Sequence, residues 1–327
     1  MESVAMASNE ALPTGRFHRL PATPETVHTG YFDRSLRPVL TIDSGDVVSF
    51  ETMMLMDGQM RPHISSEEIV RLRLGYYEKG LSTHTLTGPV FVRGAEPGDV
   101  LEIRVLRLAP YPFGVNYAMP GSYGSGTLPD EFHEGYARTF EWERDAEEVE
   151  FRPGVRLPLR PFMGIMAVAP ATEGQVNAVP PGPYGGNMDL KELVVGSTLY
   201  LPVFVPGALF STGDAHAVQG DGEVSTTALE TSMEDARFQF IVRKDMKLER
   251  PMAETPTHWI TMGFHPDLDE AARIALRDAI EWLVRNKGLA RDEAYSLCSL
   301  AVDLRVTQLV DRDKGIHAMI PKAIFKE

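Results

Sequence analysis

Residues 96–108 read EPGDVLEIRVLRL, and this stretch decides the fold class. Glu96-Pro97-Gly98-Asp99 is turn chemistry, because proline presets φ and glycine takes a positive φ without a steric penalty. Directly after the turn, Leu101, Ile103 and Val105 alternate with Glu102, Arg104 and Arg107. That period belongs to a strand half-buried against a core, and Leu106 beside Val105 predicts a small register break. The pattern of turn then strand recurs. Strand-like runs fall at 39–42, 46–51, 90–92, 147–151, 198–205 and 239–242, and another starts near residue 164. Sandwich folds are built this way.

Residues 109–137, rich in Pro, Gly and Tyr, read as a long loop, a class of segment that is often functional or mobile. The last part of the chain differs. Leu268, Ala271, Ala272, Ala275, Ala279, Leu283 and Val284 recur at helical spacing over 267–287. Asp267 is placed to cap the start and Gly288 to close the end. A second helix is expected over 292–310, with Ala294, Leu297, Cys298, Ala301, Leu304 and Leu309 inward. Strands first and helices last argue against a regular βαβ repeat. The expected class is α+β and β-rich. A loose arm over 1–16 precedes one unit over 17–327, β-rich to residue 245 and α+β beyond it.

Composition narrows the function. At 327 residues with 43% hydrophobic content, the chain can bury a sizeable core. A formal net charge of −14 argues against nucleic acid or an anionic membrane as partner. Cys298 is the only cysteine, so no internal disulfide forms and a reducing compartment is compatible. The N-terminal residues lack an apolar run of signal-peptide length, and no run approaches a membrane helix. A soluble, cytoplasmic protein is the expectation.

The chemistry concentrates in residues 207–230, GALFSTGDAHAVQGDGEVSTTALE. Asp214-Ala-His216 places an acid and an imidazole on one face of an extended segment. Asp221-Gly-Glu223 repeats the spacing, and the glycines between allow turns that fold both pairs toward one point. Carboxylate and imidazole are the usual ligands of a divalent metal. The plainer alternative is a solvated polar hairpin with an incidental histidine. Asn187 and Asp189, in Gly185-Gly186-Asn187-Met188-Asp189, put a carboxamide and a carboxylate at the mouth of a proline-stiffened loop. They are candidates for an oxyanion donor and a ligand or base, against an Asx-turn that only caps the next segment. His84 precedes the 90–92 strand, where a lone histidine is ordinarily structural. His258 and His265 read as surface or capping groups near the first C-terminal helix. Cys298 lies on an apolar helix face and reads as core rather than nucleophile.

Four blocks carry a resemblance: GPVFVRGAEPGDVLEI (88–103), PGPYGGNMDLKEL (181–193), 201–230, and GLARDEAYSLCSLAVDLRVTQLVDRDKGIHAMIPKAIF (288–325). In composition and order they resemble the acetamidase/formamidase family, from about residue 40 onward. The resemblance implies a jelly-roll-like β-sandwich core with α+β additions. It implies an amidohydrolase that releases ammonia from short linear amides, self-association into homodimers or larger homo-oligomers, and a bound divalent metal, zinc or sometimes calcium. Carried over by position, Asp214, His216 and Glu223 match the family's acid–histidine block, Asn187 and Asp189 its GGNMD block, and His84 a histidine before its TGP turn. This chain departs from the pattern at Tyr184, where the family has histidine, and at Met54, where it has an acid that Asp57 could replace only if the loop shifts. Hence the expected site: Asp214, His216 and His84 on metal, Glu223 as proton carrier to the leaving nitrogen, and Asn187 and Asp189 assisting. The competing readings are a family member that binds metal or ligand without hydrolysis, and a covalent serine or cysteine amidase.

Overall fold

A computed structural model describes residues 15–326. Two nine-stranded sheets dominate it. In the first, Val100–Pro110 lies between Met233–Arg243 and Thr198–Pro202, all antiparallel. The order continues through Met252–Glu254, His258–His265 and Lys314–Pro321 to an edge at Asp303–Gln308. In the second, Phe210–His216 is the hub, flanked by Phe162–Ala167, Thr85–Val92 and the short pair Glu230–Thr231. The order runs on to Phe113–Ala118 and Tyr136–Glu141.

The alternating residues of Val100–Pro110 join the two sheets. Leu101, Ile103 and Val105 meet Val48, Phe50, Phe238 and Phe240 of their own sheet and Leu86, Ile165, Met166 and Phe210 of the other in one core. Phe50 and Phe210 approach across the layers at 5.8 Å between centroids, and Phe210 and Phe240 at 5.0 Å, edge-on, the geometry aromatic quadrupoles favour. The register break falls at Leu106: Arg237 pairs with Arg107 and Phe238 with Val105, so Leu106 bulges. The preceding turn closes on itself, with Glu96 N–H donating to Asp99 Oδ2 at 2.9 Å. Glu102, expected on the wet face, is instead buried, held by Arg104 and Arg243.

The helix Leu268–Lys287 starts where Asp267 accepts from Glu270 N–H at 3.0 Å and stops at Gly288, φ 67°. Its alanines Ala271, Ala275 and Ala279 let it lie close on His258–His265. A Cβ at Gly263 would sit 2.1 Å from the Ala271 carbonyl oxygen. No helix among the described residues is long and apolar enough to cross a membrane.

Several expectations are corrected. The 109–137 loop contains the strand Phe113–Ala118, whose Phe113, Val115 and Tyr117 are buried in alternation beneath a Pro/Gly-rich composition. The second helix ends at Ala301, and residues 303–308 form an edge strand, because paired Lys314–Pro321 outcompetes helical spacing there. The helices are therefore inserted in a sheet that runs to the end of the chain. His258 and His265 bound a strand rather than a helix start, although His265 Nδ1 does accept from the capping Asp267 N–H. The helix Ser66–Tyr77, capped by Ser65, was not foreseen. The arm expected over 1–16 lies outside the described residues except for its last two.

Candidate functional site

Asp214 and His216 both end on the inner side of Phe210–His216, but not through a plain strand. Opposite them the ladder skips Gly164, and Asp214 adopts φ 55°. The twist brings Asp214 Oδ2 to 3.5 Å from His216 Nε2. Glu230, the cross-strand partner of His216, reaches the same nitrogen at 3.4 Å. Asp189 comes from the GGNMD segment, its Oδ1 3.8 Å from His216 Nδ1. Glu223 completes a second trio, since one ligand atom from each of Asp189, His216 and Glu223 lies within 4.8 Å of the others, as do Asp214, His216 and Glu230. Gly164 makes the convergence possible. A Cβ there would fall 2.6 Å from Asp189 Oδ1 and 2.8 Å from the His216 ring.

The backbone is strained where these groups sit. Asp189, Asp214 and Glu223 all take positive φ, a conformation costing roughly 1–2 kcal/mol per non-glycine residue. Concentrated at one pocket, it points to function. The histidine is held in one tautomer. Gln219 Nε2 donates to the Asp189 carbonyl at 3.0 Å, which leaves its Oε1 to accept His216 Nδ1–H at 3.0 Å. His216 Nε2 is thereby the nitrogen turned to Asp214 and Glu230, where it carries a proton or, once that proton is lost, offers a lone pair to a cation.

The electrostatics are unbalanced. Burial, and then its neighbours' negative charge, pushes the Glu223 carboxyl well above its usual range. Burial raises Glu230 to about 7 and Asp189 to about 6. Asp311, from the turn after the edge strand, is raised by burial and by Asp189 and Glu223. Only Asp214 is low, at about 2: burial opposes its charge, but His84 and His216 outweigh burial. Burial likewise opposes charge on His216, yet Glu230 and Asp214 push it well upward. Meanwhile both Asp189 carboxylate oxygens, His216 Nε2, Asn187 Oδ1 and Asp311 Oδ2 are buried without a hydrogen-bond partner. So many orphaned acceptors around one imidazole fit a divalent cation. Protons on the carboxyls are the alternative counter-charge.

Asp189, Asp214, Glu223, Glu230 and Asp311 line a cavity of about 250 Å³ together with Asn187, His84, Arg73 and Tyr117, and His216 is not among its lining residues. His84 Nε2 stands 4.0 Å from Asp214, beside the compact trios rather than within them. Asp221 is not part of the site: it turns outward to Arg305 and Lys191, so Gly222 splits the second acid pair between two environments. Tyr184 packs on Phe32 and donates to the Pro180 carbonyl, outside the cavity lining. Met54 lines a separate cavity of about 900 Å³ that reaches none of the clustered acids. Asp57 is occupied by the hydroxyls of Tyr76 and Thr29, so it does not stand in for the missing acid. Cys298 is buried between the C-terminal helices and the sheet. Glu230, Asp311, Gln219 and Arg73 were missed by sequence reasoning. Glu230 meets His216 only through the cross-strand register, and Asp311 lies in an ordinary-looking turn after the edge strand.

The model of the acetamidase/formamidase family matches residues 20–179 and 171–327. The fold is similar to a crystal structure of an acetamidase from Bacillus halodurans, with a TM-score of 0.85 and 32% identity over 94% of this chain and 98% of that one. An acetamidase from Mycolicibacterium smegmatis is 26% identical over 57% of this chain, which spans 58% of that relative's length. A formamidase from Methylophilus methylotrophus is 25% identical over 88% of this chain and 87% of its own.

Proposed function

The chain belongs to the acetamidase/formamidase family, and from that premise we propose that it hydrolyses the C–N bond of a linear amide to a carboxylic acid and ammonia or an amine. The single observation that carries this reading is the convergence of four buried carboxylates, Asp189, Asp214, Glu223 and Glu230, on His216, with both Asp189 oxygens and His216 Nε2 left without a hydrogen-bond partner. Asp214, His216 and Glu230 are the residues we assign to a divalent cation, with His84 beside them. Mixed carboxylate and imidazole donors favour zinc over calcium, which prefers oxygen throughout. A cation held there would supply Lewis acidity and bring a water's proton loss toward neutral pH.

The other roles fall to this chain's own groups. Glu223 would be ionised once a cation offset the negative charge of its neighbours, and in that form it would take a proton from the attacking water and return it to the leaving nitrogen. That return is required because an amide anion is a very poor leaving group. Asp189, beside it, shares the proton, and the Asn187 carboxamide faces the cavity as a donor to the developing oxyanion. A covalent route through Cys298 finds no support in its position, so Cys298→Ala should keep full activity. Self-association and a cytoplasmic setting belong to the same proposal.

The test is ammonia release from formamide, acetamide, propionamide and butyramide by purified protein of known metal content. Stoichiometric metal and activity lost on chelation support the reading. Full turnover by metal-free protein removes the cation from it, and no turnover of any amide with metal bound removes hydrolysis.

A further inference from the structure

The cavity carries a second, opposite feature that hydrolysis of a small neutral amide does not use. Arg73, on Ser66–Tyr77, lines the same cavity as the acids. Its Nη1 donates to Tyr117 Oη at 2.7 Å, and its Nε and Nη2 both donate to Tyr77 Oη. The guanidinium carbon lies 5.5 Å from each tyrosine ring centroid. Tyr117 and Tyr77 are its only close partners, and among the described residues no carboxylate pairs with it. One N–H on each Nη is left without an acceptor. Arg312 stands at the cavity rim, also without an ion pair among the described residues.

Arg73 is half-buried and has no counter-ion among the described residues, although a chain rich in acids pairs most of its other arginines. Two tyrosine hydroxyls and two flanking rings hold the fork still, which is the preorganisation that bidentate recognition of a carboxylate needs. We propose that Arg73, assisted by Arg312 at the rim, binds a carboxylate carried by the substrate at the end remote from the scissile amide. The preferred substrates are then short monoamides of dicarboxylic acids. The cavity volume, about 250 Å³, is smaller than a site for drug-sized ligands and suits such a molecule.

The inference rests on the amidase reading for its assay but not for its binding measurement. Succinamate and butyramide match in length and differ in the terminal carboxylate. The metal-replete wild type should show a kcat/KM at least about tenfold higher for succinamate, carried by KM. In Arg73→Gln that ratio should fall to about one or below, and Arg73→Lys should recover part of it, because a point charge replaces the fork. A wild type that prefers butyramide, or an Arg73→Gln ratio equal to wild type, overturns the proposal and makes Arg73 a counter-charge to the acids. If neither amide is turned over, the amidase reading has failed, and calorimetry with glutarate decides the inference alone. Binding to wild type that Arg73→Gln loses supports it, and equal binding by both overturns it.

Discussion

The helix Leu268–Lys287 on its sheet and the acid-lined cavity are built by opposite rules. In the helix region every local preference agrees with the fold: an aspartate caps the start, a left-handed glycine ends it, and alanines face the sheet. In the cavity the preferences are violated together. Non-glycine residues take positive φ, carboxyls crowd one another, and buried acceptors lack donors. The contrast teaches that stability is spent at the cavity and supplied elsewhere, the usual mark of a site selected for chemistry.

The largest effect should come from removing the one imidazole. His216→Ala removes the only imidazole of both trios, and kcat/KM should fall on the order of 10³-fold or more, with bound metal lost in parallel by elemental analysis. Retained metal and activity would show that the acids alone suffice. Next is the pH response of chelated protein. The folded-state values of Asp189 and Glu230 are raised to about 6 and about 7, and burial with neighbouring carboxylates pushes Glu223 and Asp311 well above their ordinary range. The folded state thus holds protons that the unfolded chain has released, so stability is full below the ordinary carboxylate range and declines as pH rises through 6 and 7. The melting temperature of chelated protein should drop between pH 5 and pH 8, and added zinc should flatten the slope. A flat profile without metal would mean the acids are already compensated.

The helix region should respond through stability alone. Leu283 is fully buried, so Leu283→Ala should cost about 2–5 kcal/mol, several degrees in Tm, with the specific activity of the folded fraction unchanged. Gln219→Leu is the smaller test on the cavity side. It removes the acceptor for His216 Nδ1–H and should weaken metal affinity by about 10–100-fold, measured by competition with a chelating dye. Unchanged affinity would mean that Asp189 orients the ring without help.

How far the sequence could be read divides along the same line. Alternation at Leu101, Ile103 and Val105, the bulge at Leu106, and the Asp267 and Gly288 caps were legible because each is a local signal that packing reinforces. Asp214 and His216 were legible as a pair because they share a strand. The cavity as a whole was not. Glu230 joins it through a cross-strand register, Asp189 through a left-handed turn, Asp311 through a turn beyond the helices, and Arg73 through a helix whose weak amphipathicity hid it. None of those approaches leaves a trace in spacing. The error at Asp221 has the same origin: spacing of two residues predicted a shared face, but Gly222, at φ 90°, turns the acids apart.

The smallest effect tests the orderly side of the comparison. Asp267 accepts from Glu270 N–H and satisfies one donor that the helix's first turn would leave open. Its carboxylate also faces the positive end of the helix, and that backbone bond comes first among the causes that hold its pKa below the usual range. The group is exposed, so water replaces much of what is lost when it is removed. Asp267→Ala should therefore lower Tm slightly, Asp267→Asn less, and neither should alter kcat or KM. The signature lies in where the loss is felt. Hydrogen exchange should accelerate in the first turn of Leu268–Lys287 while the amides of Phe210–His216 keep their protection, because the cap stabilises a region that the cavity only leans upon. Equal loosening of both would mean that the helix and the cavity unfold as one unit, and the division between an orderly scaffold and a strained site would have to be given up.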